Sequence, residues 1–122
     1  MKKEFTVQHF RDKFSAIPEN KWCVGTQDNG KGQHCAIGLL HPEHSGMANN
    51  VKKFDPTGEI SALENLFFNA GILYEPCPYF RLGDNITVVN NGNHSKFKQD
   101  TPKERILAAL DYVEEQLLII QS

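Results

Sequence analysis

Cys35 is the residue whose type and setting come closest to doing chemistry. It follows Gln33-His34 and precedes the apolar run Ala36-Ile37-Gly38-Leu39-Leu40, which reads as a short helix. A thiol at a helix N-terminus sees the partial positive charge of unpaired amides, which lowers its pKa and favours the thiolate. A cysteine hydrolase or transferase adds a base from elsewhere in the fold. His94 can serve as that base, with Asn91, Asn90 or Asp84 to orient the imidazole and Gln33 to donate to an oxyanion. The plainer reading of the same residues is packing. Free cysteine is among the most buried residue types, and Cys35-Ala36 are small enough to let a helix approach closely.

Three other groupings invite chemistry and are weaker. Gly25-Thr26-Gln27-Asp28-Asn29-Gly30-Lys31-Gly32 has the glycine and lysine spacing of a phosphate loop. Gly32 stands where the motif needs a hydroxyl for magnesium, so a glycine-rich turn is the better account. Cys23, Cys35, His41 and His44 hold metal-ligand side chains, but their spacing fits no paired-ligand zinc site and Pro42 separates the histidines. No metal and no cofactor is expected. Asn90-Asn91-Gly92-Asn93 is dense in turn formers, and its amides can line a polar pocket facing Cys35. Trp22 reads as a core aromatic before it reads as a stacking platform.

The elements that must position these residues follow from periodicity. Val7, Phe10, Phe14 and Ile17 recur at three and four, which predicts a helix over residues 6–17, stopped by Pro18. Residues 21–25 read as a short extended piece, and residues 33–41 as a second helix ended by Pro42. A third helix over 59–70 buries Ile60, Leu63, Leu66, Phe67 and Ala70, with Gly71 at its C-terminal cap. The β-branched run Ile86-Thr87-Val88-Val89 reads as the best strand. Thr101, Pro102 and Glu104 form the signature of a helix start, and Ile106, Leu110, Val113, Leu117 and Ile120 continue it. Its last turn is apolar all round, so Leu118 and Ile119 are candidates for a homo-oligomer contact.

Composition bounds the function classes. The 122 residues make one domain. The net charge of −2 comes with scattered rather than striped lysines, which argues against a nucleic-acid partner. No run of apolar residues is long enough to span a membrane. Met1-Lys2-Lys3-Glu4-Phe5 turns polar at once, unlike an export signal, so the three cysteines are expected as reduced thiols in a cytoplasm.

Several short motifs occur together. Lys21-Trp22-Cys23-Val24-Gly25, Gln33-His34-Cys35-Ala36-Ile37-Gly38, Val89-Asn90-Asn91-Gly92 and Thr101-Pro102-Lys103-Glu104-Arg105-Ile106-Leu107 follow in that order. The chain resembles a family of small uncharacterised bacterial and phage proteins. That family carries Trp-x-x-Gly, Cys-Ala-x-Gly, Val-Asn-Asp-Gly and a closing Thr-Pro-x-x-Arg-Ile-Leu helix. This chain departs at Asn91, where the pattern has Asp, and the pattern does not require a histidine at the place of His94. The resemblance implies that Trp22, Gly25, Cys35, Gly38 and Asn90 share one spatial cluster, and it implies a phage or mobile-element setting. It lends no activity.

The sequence thus leads to an α+β domain, helix-dominated, with a small sheet formed by the Trp22 and Ile86 segments. Its leading function is a non-enzymatic accessory domain that binds a small-molecule ligand or a host protein through Trp22, Gln33, Cys35, Asn90 and Asn91. The rival is the cysteine enzyme built on Cys35 and His94.

Overall fold

The computed structural model describes residues 5–24, 33–40, 58–72 and 84–121, together with the backbone alone at a few positions inside the helices. Five helices carry these segments: α1 (Val7–Ser15), α2 (Ala36–Leu40), α3 (Glu59–Asn69), α4 (Asp84–Asn90) and α5 (Pro102–Gln121). A single 3-10 turn, Glu19–Lys21, follows α1.

The expected α+β architecture is not what forms. Among the described residues there is no strand and no sheet, only one isolated parallel bridge between Trp22 and His34. The Ile86 segment that reads as a strand is the body of α4. Strand propensity measures how well a residue suits a half-buried pleated surface, so tertiary packing overrides it readily. Here Ile86 and Val89, three apart, are fully buried and Val88 nearly so, which is the burial of a helix wedged in a core.

What holds α4 comes from outside it. Glu64, fully buried on α3, accepts the amides of Asn85 at 3.0 Å and Ile86 at 2.9 Å. Those amides have no partner within their own helix, and a carboxylate also suits the positive end of the helix dipole. The far end closes on Gly92, whose φ of 77° lets the Gly92 amide bond Val89 O and the Asn93 amide bond Val88 O. The turn residues are therefore a helix stop. Gly71, with φ 84°, closes α3 in the same way, bringing buried Ile72 back toward Phe67.

α5 is the spine. Thr101 caps its start by accepting the Glu104 amide at 3.1 Å, as the sequence predicts. Ile106, Ala109, Leu110 and Val113 enter a core shared with Phe10 and Phe14 of α1, Leu63 and Phe67 of α3, and Ile86 and Val89 of α4. Lys103 Nζ reaches Ser15 O, and Arg11 reaches Asp111 and Glu114, so α1 runs antiparallel along α5. The Glu114 and Asp111 carboxylates, in that order, raise the Arg11 pKa above its ordinary value. A second tie joins α1 to α3: buried Glu59 takes His9 Nε2 at 2.8 Å and Lys13 Nζ at 3.0 Å. The side chains of Leu118 and Ile119 lie outside the described residues, so the proposed oligomer contact has no structural account here. No described helix is long and apolar enough to cross a membrane.

Replacing Glu64 by Ala strands two buried amides, and we expect a loss of about 2–5 kcal/mol of unfolding free energy. Urea denaturation followed by circular dichroism measures it; Glu64→Gln, which keeps one acceptor, falls between Ala and the native chain.

Candidate functional site

Asn90 is the last residue of α4 and has no exposed surface. Its carboxamide Oδ1 accepts the Ala36 amide at 3.0 Å, and its Nδ2 donates to Cys23 O at 3.0 Å and to Asn91 Oδ1 at 3.0 Å. The significance lies in the register of the bridge beside it. His34 N–H bonds Lys21 O and Cys23 N–H bonds His34 O, each at 2.9 Å. In a parallel ladder the next rung would join Ala36 N–H to Cys23 O. Asn90 takes both of those partners. The carboxamide stands in for a rung and ends the ladder after one bridge, which explains why the Trp22 segment never becomes a sheet strand.

A cation fixes the same junction from the other side. Arg105, buried on the first turns of α5, donates to Asn90 O from Nη2 at 2.7 Å and from Nε at 3.2 Å, and to Gln99 O from Nη1 at 2.8 Å. Asn90 O is among the last carbonyls of α4, where the helix dipole favours positive charge. Burial lowers the Arg105 pKa from its ordinary value, against the opposing pull of Asp100 and Glu104. Gly92 favours glycine on two counts. Its φ is positive, and a Cβ there would sit 3.2 Å from Arg105 Cζ. Lys98 Nζ adds a bond to Gly92 O at 2.8 Å.

The sequence-predicted residues divide around this junction. Trp22 is buried, packed on Phe14 with ring centroids 5.4 Å apart, and its Nε1 leans on Ile17 O at 3.5 Å. It is a core aromatic. Cys35 is buried directly before α2, and belongs to the hydrophobic core. Gln33 and Asn91 are half-buried; Gln33 Nε2 donates to Asn20 O at 3.0 Å. The junction thus gathers Cys23, Ala36, Asn90 and Asn91 by direct bonds, with Trp22, His34 and Cys35 as chain neighbours.

His94 does not take the tautomer expected of a triad base. Its Nδ1 accepts the Lys96 amide at 3.1 Å. A neutral ring that accepts a backbone amide at Nδ1 carries its proton on Nε2, so neither ring nitrogen keeps a lone pair to take the Cys35 proton. Asn91 Oδ1, the proposed orienter, accepts from Asn90 instead. The ring packs against Phe97 at 5.2 Å, so it is placed as part of the wall beside α5.

Neither the 25–32 glycine loop nor His41 and His44 of the zinc candidate lies within the described residues, and Asp84 is described by its backbone alone. Among the described residues no group of three or more His, Cys, Asp or Glu side chains is placed to hold a metal. No family model, no curated protein and no solved structure matches this chain.

Arg105 and Glu64 were not singled out from sequence, although a signal exists for both. Arg105 precedes Ala109 by four and Val113 by eight, and Glu64 lies between Ile60 and Phe67 at helical spacing, so each is a charge on an apolar stripe.

Asn90→Asp keeps the acceptor for Ala36 but removes the donor to Cys23 O and buries a charge, so we expect a loss of about 3–5 kcal/mol. Gly92→Ala should cost about 1–3 kcal/mol and more than Gly58→Ala, because both have positive φ but only Gly92 faces a neighbour within 4 Å. Chemical denaturation of the three variants reads both differences.

Proposed function

We propose that the chain is a small non-enzymatic binding domain whose contact surface is the rim of the Asn90 junction. The observation that supports it is the division of labour among the polar groups. Asn90 is consumed internally, while Asn91 stands half-buried beside it, Gln33 is half-buried directly before the bridged His34, and Val24, which follows Cys23, is half exposed. A protein partner fits this mixture of amide groups and one apolar point better than a small polar ligand, which needs a concave site. In the phage or mobile-element setting that the resemblance implies, the use is interference with a host process, including sequestration of a signalling molecule.

Immobilised protein incubated with extract of the cells that express it tests this reading. A retained species should bind at least about tenfold less to Val24→Asp and to Asn91→Ala than to the native chain, the size of one interface contact. Equal retention by all three, with native circular dichroism, places the contact elsewhere and defeats the proposal.

The cysteine enzyme remains the rival because Cys35 directly precedes α2. Its requirements are an accessible thiolate and a base, and the burial of Cys35 and the His94 tautomer both weigh against it. Iodoacetamide separates the two readings. We expect half-buried Cys23 to alkylate before Cys35 in the native protein; faster labelling of Cys35 below neutral pH would revive the enzyme.

A further inference from the structure

We propose that Cys23 and Cys35 are a reversible redox pair that closes to an intramolecular disulfide on exposure to a peroxide. The bridge pairs Trp22 with His34 and the Cys23 amide bonds His34 O, so Cys23 and Cys35 each follow directly on a paired residue. Residues in register across a parallel pair project to the same face, here the face opposite Trp22 and His34. Paired chains lie about 4.8 Å apart, a spacing that applies at the Trp22–His34 bridge just before the two cysteines, and a disulfide accepts Cα separations of roughly 4.4–6.8 Å. The pair is pinned on both sides: the Cys23 amide bonds His34 O, and the Asn90 carboxamide spans Cys23 O and Ala36 N. These bonds limit how far the two backbones can separate. Neither is in a disulfide here.

Their exposure assigns the roles. Cys23 is half-buried and meets an oxidant first; Cys35 is buried behind it. The Cys23 thiolate attacks one oxygen of hydrogen peroxide and breaks the O–O bond, giving a sulfenic acid and hydroxide, which takes a proton and becomes water. The Cys35 sulfur then attacks the sulfenyl sulfur. The S–S bond forms, and the hydroxyl leaves as water with the Cys35 proton. Two thiols and one peroxide give one disulfide and two waters, with two electrons passing from sulfur to oxygen. In a reducing compartment the bond is transient, which is the behaviour of a sensor rather than a staple. The closed form cross-links the chain across residues 23–35, at the base of the rim assigned above to partner binding. The chemistry itself is independent of that assignment.

Hydrogen peroxide treatment, alkylation of the remaining thiols under denaturing conditions and peptide mapping test the pair. We expect a Cys23–Cys35 linked peptide that disappears on reduction, is absent in Cys23→Ser and Cys35→Ser, and persists in Cys77→Ser. The oxidised native chain should melt higher than the reduced one by on the order of 10 °C. The map of the native chain decides the matter even where Cys35→Ser fails to fold. Linkage through Cys77, oxidation that stops at Cys23 as a sulfinic acid, or thiols that survive peroxide able to oxidise Met1 and Met47 would each overturn the pairing.

Discussion

The carboxamide of Asn90 has a donor end and an acceptor end, and the junction uses both at once. The polar groups it joins belong to two chain segments that would otherwise bond each other. By inserting between Cys23 O and Ala36 N–H it satisfies both and holds the segments one carboxamide apart. Each such bond contributes only about 1 kcal/mol net, yet leaving a buried group unmade costs about 1–3 kcal/mol. The asymmetry explains the architecture. No side chain that lacks either end can occupy the place without orphaning a backbone group, and the segment before α2 can therefore neither extend its ladder nor drift away. Asn90 in turn is fixed by its own carbonyl, held by Arg105 from the spine helix.

Helix α4 shows the same economy at larger scale. A seven-residue helix rich in β-branched side chains has no independent stability, because nucleation is unfavourable and short helices are marginal even in favourable sequences. Its two ends are held by charges from other helices. Glu64 closes the amide end and Arg105 the carbonyl end, each with the sign that the helix dipole prefers. Removing two charges from water is costly. They are compensated by backbone groups that α4 could not satisfy itself, so helix and charges are stable only together.

This dependence decides what could be read in the chain. The outer helices were legible because their information is local: Thr101-Pro102 starts α5, Pro18 follows α1, Gly71 closes α3, and apolar spacing marks the buried faces. The Val89-Asn90-Asn91-Gly92 turn was legible as a turn, since positive φ at Gly92 is also local. The state of Ile86-Thr87-Val88-Val89 was not. Its propensity favours a strand, and the groups that make it a helix lie some twenty residues before and fifteen after it in sequence. The small sheet failed for a related reason, since the residue that stops the ladder comes from α4. What joins Asn90 to the start of α2 is a bond to the Ala36 backbone amide, which residue types alone do not announce.

The same distinction separates the two meanings of the Cys35 cluster. A cysteine, a histidine and several asparagines near a helix start resemble a catalytic set when only their types are known. Their hydrogen bonds assign them differently: Asn90 and Asn91 bond each other, His94 accepts a backbone amide, and Cys35 lies in the core. A catalytic group must have a free valence directed at substrate, while a scaffold group must have its valences filled within the fold. Asn90 meets the second condition, with its amide bonded at both ends and its surface closed. Activity, if it resides at this end of the molecule, therefore belongs to the half-buried residues that the junction displays, and the residues with the most suggestive chemistry are the ones that hold them in place.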